Sequence, residues 1–207
     1  MNYQSILEAK IEELEQRNRQ LEAEVARLRV YKEYAYTDPL TEIPNRRFYF
    51  ERLLQEVSRA RRTNRPLTLA LLDLDFFKQA NDVAGHHGGD QVLKCFARLL
   101  RENLRQEDVV CRIGGDEFAI IFPETRANHA TVFFDRVRGK VDQLRLSSGA
   151  SRITISFSCG VAEFRPEYLP EDLIEDADHA LYSAKARGRG RLVIAPSSAP
   201  LISRVVH

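Results

Sequence analysis

The stretch Asp108–Phe122, DVVCRIGGDEFAIIF, places two short apolar runs on either side of Gly114-Gly115. Asp108–Ile113 and Glu117–Phe122 read as the strands of a hairpin, because both glycines can take the positive φ of a tight turn. Outward from it, strands and helices alternate. Leu67–Leu74 is a continuous apolar run behind Pro66, the profile of a central strand covered on both faces. Asn45–Arg62 reads as a helix with Asn45 as N-cap and Phe48, Leu53, Leu54 and Val57 turned inward, and Gly88–Asn103 as another. A helix from about Ala127 to Leu146, a strand Arg152–Cys159, a helix Pro170–Arg187 and a strand Leu192–Ala195 follow. With a hairpin in the middle, this alternation predicts an α/β (α+β) sandwich with a mixed central sheet flanked by helices.

Ahead of this body the pattern changes. Leu7, Ile11, Leu14, Asn18, Leu21, Val25 and Leu28 alternate steps of four and three, the repeat of a supercoiled helix pair. Leucine fills the d positions and Ile11 and Val25 fill a positions, which favours two parallel strands. Asn18 at an a position would fix the register. No Gly or Pro precedes Pro39, so a coiled-coil helix can run over residues 1–36, pairing two chains through residues 4–35. The other reading is a single amphipathic helix lying on its own domain, which a stripe this narrow suits less well. Lys10–Leu28 also resembles the zippers of bZIP transcription factors, but no basic region stands before it, so DNA binding is not expected.

Composition adds boundaries. The 207 residues are 43% hydrophobic, enough for one core of about 150 to 170 residues plus an appendage. A net charge of +1 gives no global field toward nucleic acid or an anionic membrane, so any phosphate chemistry is local. Cys95, Cys111 and Cys159 are odd in number and lie in apolar runs, as packed thiols of a reduced, cytoplasmic protein do. Neither a signal peptide nor a membrane span is read from the sequence. The residues from Pro196 to His207 read as a loosely ordered tail.

Chemistry concentrates at predicted strand tips. Asp73 and Asp75 end the first core strand, and Asp116 and Glu117 follow the glycines. Four acids on adjacent tips repel unless a divalent cation lies between them, and hard oxygen ligands suit Mg²⁺. Asp-x-Asp alone is equally at home in surface turns. Nearby stand Lys78, able to meet phosphate as a point charge, and Asn81 and Asp90, able to offer a donor and acceptors to a guanine edge. His86 by itself fits a structural or solvent-facing role as well, and no second histidine at ligand spacing points to zinc.

Arg112-Ile113-Gly114-Gly115-Asp116-Glu117-Phe118 resembles the signature hairpin of the GGDEF-domain diguanylate cyclases. Asp38-Pro39-Leu40-Thr41 with Asn45-Arg46-Arg47, Asp73-Leu74-Asp75 with Phe77-Lys78 and Asn81-Asp82, and Gly85-His86 with Gly89-Asp90 match the family's other blocks. So do Ser158-Cys159-Gly160-Val161-Ala162 and the run from Ala177-Asp178 through Lys185 to Gly188-Arg189. The blocks occur in family order over residues 37 to about 194, which puts the catalytic domain at 37–195.

The resemblance implies a nucleotidyl-cyclase or palm-like fold that joins two GTP molecules into cyclic di-GMP. It implies that Asp73, the Leu74 carbonyl, Asp116 and Glu117 hold Mg²⁺ or Mn²⁺, with Asp116 the acceptor for the 3′-hydroxyl proton. Lys78, Lys185, Arg189 and the amides of Phe76 and Phe77 would bind the triphosphate; Asn81 and Asp90, with His86 nearby, would bind the base. Gly114 and Gly115 would leave room for the nucleotide. Arg105-x-x-Asp108 has the spacing of the family's product-inhibition motif, with Arg136 or Arg138 a further contact; the alternative is a surface ion pair. Departures are Gly190, where asparagine is usual, and Glu42 and Ile43, where glycine and leucine are commoner. A two-fold product needs two facing domains, so a zipper dimer, GTP as substrate and cyclic di-GMP as inhibitor complete the expectation. The competing classes are a non-catalytic module that senses GTP or cyclic di-GMP, a coiled-coil adaptor, and a cyclase that also accepts ATP.

Overall fold

The computed structural model describes residues 3–144, 146–148, 151–153 and 155–196. It divides into two compact units, residues 1–37 and 38–207. The first is one helix, α1 (Tyr3–Tyr36). Considered by itself, α1 carries Leu7, Ile11, Leu14, Leu21, Val25 and Leu28 at 45–57% exposure. No helix among the described residues is long and apolar enough to cross a membrane.

The second unit runs α2 (Arg46–Thr63), β1 (Leu67–Leu74), α3 (Phe77–Glu102), β2 (Val109–Arg112), β3 (Glu117–Pro123), α4 (Ala127–Gln143), β4 (Leu146–Ser148), β5 (Ser151–Ile153), β6 (Phe157–Glu163), α5 (Pro170–Ala186) and β7 (Leu192–Ile194). The main sheet has the order β2-β3-β1-β6-β7. All its pairs are antiparallel except β6 with β7, so the sheet is mixed. Every residue of β1 is buried. Strand alternation sends Leu67, Leu69 and Leu71 into the layer with α2 and α5, and Ala70, Leu72 and Leu74 into the layer with α3 and α4. That two-sided cover is why the β1 sequence reads as an unbroken apolar run.

Asn45 caps α2, its side chain accepting from the Arg47 and Phe48 amides. The inward face is Tyr49, Leu53, Val57 and Ala60, with Phe48 partly buried. Leu54 is 54% exposed and not part of the core. Three further expectations are corrected. The helix read from Gly88 begins at Phe77 and is broken at Gly85, whose φ of 67° and ψ of 173° kink it. The strand read over Arg152–Cys159 is two separate elements, β5 and a central β6 shifted to Phe157–Glu163; the Ser156 carbonyl between them takes the Asp75 amide instead of a ladder bond. Leu146 belongs to β4, paired with β5 in a small hairpin, and not to the preceding helix. Cys111 and Cys159 are buried, free thiols. Residues 197–207, read as a tail, lie outside the described residues.

Candidate active site

The β1–β3 register sets Asp73 opposite Glu117. The Leu74 amide donates to the Asp116 carbonyl at 3.2 Å, holding the strand tip against the hairpin. Burial pushes the Asp73 carboxyl above the ordinary range; a hydrogen bond and charge from Lys185 oppose this, and the Asp116 and Glu117 charges add to it. Lys185 reaches from α5 to place Nζ 2.7 Å from Asp73 Oδ2. The three carboxylates thus feel one another, with an ammonium standing where a cation is favoured.

No three His, Cys, Asp or Glu side chains among the described residues form a ready-made metal cage. The donor set still suits a hard divalent ion, because Mg²⁺ takes one or two carboxylates and completes its shell with water and substrate phosphates. Asp75, the fourth acid expected at these tips, is withdrawn from the cluster. It is 8% exposed and accepts from Ser156 Oγ at 2.8 Å, Ser158 Oγ at 2.7 Å and the Gly190 amide at 3.0 Å. These bonds make it a tie between β1, β6 and the turn after α5.

The N-terminus of α3 lies just beyond β1. Phe76 occupies the cap position in the left-handed region, φ 58°, with no side chain among the described residues capping the helix. The first amides of α3 are therefore offered outward, at the positive end of the helix dipole. Lys78 is exposed in the first turn. Arg189, itself at φ 61° in the turn after α5, lays its guanidinium over the Phe76 ring at 4.9 Å. Phe76, Phe77, Lys78 and Arg189 are thus brought together, while Lys185 is turned to Asp73.

Gly89, the residue before Asp90, lets the Asn81 side chain approach it across the Gly85 kink. A Cβ on Gly89 would lie 1.6 Å from Asn81 Oδ1, so only glycine admits that side chain there. The side chain of His86 lies outside the described residues.

The hairpin loop differs from the expected tight turn. Gly114 and Gly115 are absent from the positive-φ residues. The Ile113 and Gly114 amides both donate to the Glu117 carbonyl, at 2.9 and 3.3 Å, closing a loop wide enough to avoid left-handed backbone. Gly114 serves close approach: a Cβ there would sit 2.3 Å from Glu117 Oε2. A Cβ on Gly115 would meet no described residue within 4 Å.

Arg112, for which the sequence suggested no role of its own, anchors this loop. Its Nε and Nη2 donate to the Gly115 carbonyl at 3.2 and 2.8 Å, and its Nη1 meets Asp38 Oδ1 at 3.0 Å. Asp38 also accepts from the Thr41 amide and hydroxyl at 2.9 and 2.6 Å. Burial pushes the Asp38 carboxyl up, but the Thr41 and Arg112 bonds outweigh it and hold it below its ordinary value. The signal lay in two motif blocks of opposite charge, which nothing in a local window connects.

Residues 35–191 match the family model described as "Diguanylate cyclase, GGDEF domain". The chain belongs to the GGDEF-domain family. The GGDEF chain is 39% identical over 189 residues to the diguanylate cyclase DgcP of Pseudomonas aeruginosa, covering 91% of this chain and 28% of that protein. It is 39% identical over 164 residues to the response regulator PleD of Caulobacter vibrioides, covering 78% and 36%. The chain thus spans about a third of the length of these curated relatives. Among solved structures it resembles the diguanylate cyclase SiaD of Pseudomonas aeruginosa in complex with its activator SiaC, with TM-score 0.78, 38% identity, and 93% and 73% of the two chains covered. It also resembles the coiled coil and GGDEF domain of DgcB from Caulobacter crescentus in complex with c-di-GMP, with TM-score 0.79, 33% identity, and coverage of 88% and 99%.

A second feature of the GGDEF unit lies upstream of the hairpin. Arg105 and Asp108 line a cavity of about 450 Å³ together with Asn103, His129 and Arg136. The Arg105 amide donates to Asp108 Oδ2 at 3.0 Å, and Arg136 Nη2 donates to the Asn103 carbonyl. Burial raises the Asp108 carboxyl; the Arg105 amide and the Arg105 and Arg136 charges offset this in part, and Glu107 adds to it. Arg138, the alternative contact, pairs with Asp135 and does not line this cavity.

Proposed function

We propose that this chain is a diguanylate cyclase, joining two GTP molecules into cyclic di-GMP and releasing two pyrophosphates. The observation that carries the reading is Asp73 opposite Glu117 with Asp116 beside them, an acidic cluster flanked by an uncapped helix N-terminus, Lys78, Lys185 and Arg189. Such a set suits a polyphosphate and its cations. Relatives that are diguanylate cyclases support it.

In each of two equivalent steps the 3′-oxygen of one GTP attacks the α-phosphorus of the other. The bond to the bridging oxygen breaks, pyrophosphate leaves with the electron pair, and Asp116 takes the hydroxyl proton. The Phe76 and Phe77 amides, Lys78 and Arg189 hold the triphosphate, joined by Lys185 when it leaves Asp73. Asn81 and Asp90 hold the guanine edge, with His86 assigned to the same end. Gly114 and Gly115 leave the hairpin low enough for the nucleotide to lie across it. Mg²⁺ or Mn²⁺, held by Asp73, the Leu74 carbonyl, Asp116 and Glu117, would supply charge neutralisation to the phosphates and the attacking oxygen.

One chain holds one such site, so ring closure needs two domains facing each other. We assign the homodimer to a coiled coil over residues 4–35, on the half-exposed apolar stripe of α1, with the catalytic domain at 37–195. We assign Arg105 and Asp108, with Arg136, to an inhibitory site for the product. Arginine stacks on and bonds a guanine face while aspartate bonds its edge.

The test is mass-spectrometric detection of cyclic di-GMP made from GTP and Mg²⁺ over a series of protein concentrations. Asp116→Asn should lower production about a thousandfold while leaving the circular dichroism spectrum unchanged. Undiminished synthesis by that variant overturns the assignment. A sensing module would bind GTP and yield no product, and mixed GTP and ATP would expose relaxed base choice. Arg105→Ala should leave synthesis intact and relieve inhibition by added product.

A further inference from the structure

Asp75 is a buried carboxylate to which the proposed chemistry gives no part. It stands one residue before Phe76, whose ring carries the Arg189 guanidinium at 4.9 Å. A buried carboxylate is costly unless its oxygens are paired, and here both are. Ser158 Oγ donates to Oδ1 at 2.7 Å, while Ser156 Oγ and the Gly190 amide donate to Oδ2 at 2.8 and 3.0 Å. The backbone is tied to the same segment, the Asp75 amide donating to the Ser156 carbonyl at 2.8 Å.

The bond to Gly190 bears on its neighbour. Gly188, Arg189 and Gly190 all have positive φ, 104°, 61° and 58°. Glycine takes that backbone freely, whereas arginine holds it at a steric cost and needs its surroundings to fix it. The turn is held from both ends. Toward α5, the Gly188 and Arg189 amides donate to the Lys185 and Ala184 carbonyls at 3.2 and 3.1 Å. Toward the sheet, the Gly190 amide meets Asp75 and the Cys159 amide donates to the Arg191 carbonyl at 2.9 Å. Of these ties the Asp75 bond is made by a side chain, so it can be removed without altering the turn's own sequence. Asp75 therefore fixes both members of the stacked pair: Phe76 through the chain, and Arg189 through the next residue's amide.

We propose that Asp75 is a positioning residue for the triphosphate, acting through Arg189 and resting on the assignment of Arg189 to that ligand. It sets the guanidinium against the Phe76 ring and the first amides of α3, so that the cation and the helix N-terminus meet one polyphosphate chain. Its carboxylate works as an acceptor of hydrogen bonds, not as a ligand of the metal.

The test measures calorimetric binding of α,β-methylene-GTP with Mg²⁺ to the full chain, since the methylene bridge cannot be broken. Asp75→Ala should weaken binding about tenfold. Arg189→Ala should weaken it at least as much, and the double variant no more than Arg189→Ala alone. Asp75→Asn keeps a carbonyl oxygen for the Gly190 amide while the Ser158 hydroxyl turns to accept from the new amide, so its loss should stay near threefold, an estimate of about 0.6 kcal/mol. Its Mg²⁺ requirement should match the parent's. In turnover, Asp75→Ala should raise the KM for GTP about tenfold at nearly constant kcat, whereas a smaller folded fraction would lower kcat at constant KM. If Asp75→Ala does not fold, Asp75→Asn carries the comparison, its smaller loss vanishing in the Arg189→Ala background. Equal losses with and without Arg189, an Asn variant as weak as the Ala one, or a shifted Mg²⁺ requirement overturns the proposal. A parent that binds the analogue but makes no cyclic di-GMP counts against the cyclase reading alone; a parent that binds no analogue counts against both.

Discussion

Strand β1 and helix α1 carry the two most regular apolar patterns in the chain, and they end differently. All eight residues of β1 are buried, and its six apolar side chains divide between the two core layers. The stripe of α1 leaves six apolar residues about half exposed. An apolar period says where burial is needed, not which molecule supplies it. A central strand finds cover for both faces in its own chain, whereas a helix with a narrow stripe is marginal in water until another surface packs on it. In the proposed enzyme the domain holds the chemistry and the helix sets the number of copies.

The contrast is open to direct attack. Leu14→Lys combined with Leu21→Lys puts like charges into the proposed seam. At nanomolar protein, cyclic di-GMP production should fall about a thousandfold and recover as concentration approaches the roughly millimolar value a tether provides. The domain's own melting should not move. If the double variant still sediments as a dimer and turns over at the parental rate, the dimer is not made by α1. The core side of the comparison is Leu69→Ala. Leu69 is 0% exposed in β1, and removing its side chain should cost about 3 kcal/mol in urea unfolding. Leu21→Ala should change unfolding of the domain by less than about 0.5 kcal/mol. Equal losses at the two positions would mean that the stripe is covered by the domain itself.

What was legible in the sequence follows the same division. β1, the Asn45 cap, both hairpin strands and the mixed sheet could be read because apolar period and cap chemistry are local. The candidate site residues stand out as motif blocks, but their arrangement could not be read. The hairpin loop escaped because its shape is fixed by Arg112, bonded to an aspartate 74 positions away. Asp75 looked like part of the acidic cluster until β6 and the turn after α5 surrounded it with donors. The offset of β6 escaped because Ile155 and Phe157 are both buried, so alternation continued past the point where the ladder stops. Burial and hydrogen bonding had parted company there.

The Asp38–Arg112 pair tests whether that long-range tie belongs to the domain alone. The folded Asp38 carboxyl is held below its ordinary value. Its stabilisation is therefore fully present above the unfolded value of about 3.9 and is lost as pH falls through the folded one. Asp38→Asn should cost about 1 to 2 kcal/mol at neutral pH, a difference that shrinks as unfolding is followed downward from pH 4. The dimerisation constant should stay fixed. A constant gap between parent and variant down to the lowest pH would mean that the carboxylate's charge is not what holds Arg112.

The smallest effect concerns backbone handedness, a property neither burial nor period reveals. Glu42 sits at φ 58° and Gly190 also at φ 58°. These are the two departures that fall on left-handed backbone, and they act in opposite senses. Gly190 takes the conformation at no steric cost while its amide reaches Asp75, and a Cβ there would come within 3.2 Å of Ser156 Oγ. Glu42 is exposed and bears the left-handed strain, its amide donating to the Asp38 carbonyl at 2.9 Å. Relief of roughly 1 to 2 kcal/mol of strain, set against about 0.5 to 1 kcal/mol of extra chain entropy for glycine, leaves Glu42→Gly more stable by about 0.5 kcal/mol. Gly190→Ala should lose stability, and neither change should alter dimerisation. A lower urea midpoint for Glu42→Gly would show that the Glu42 side chain contributes more than the strain it carries.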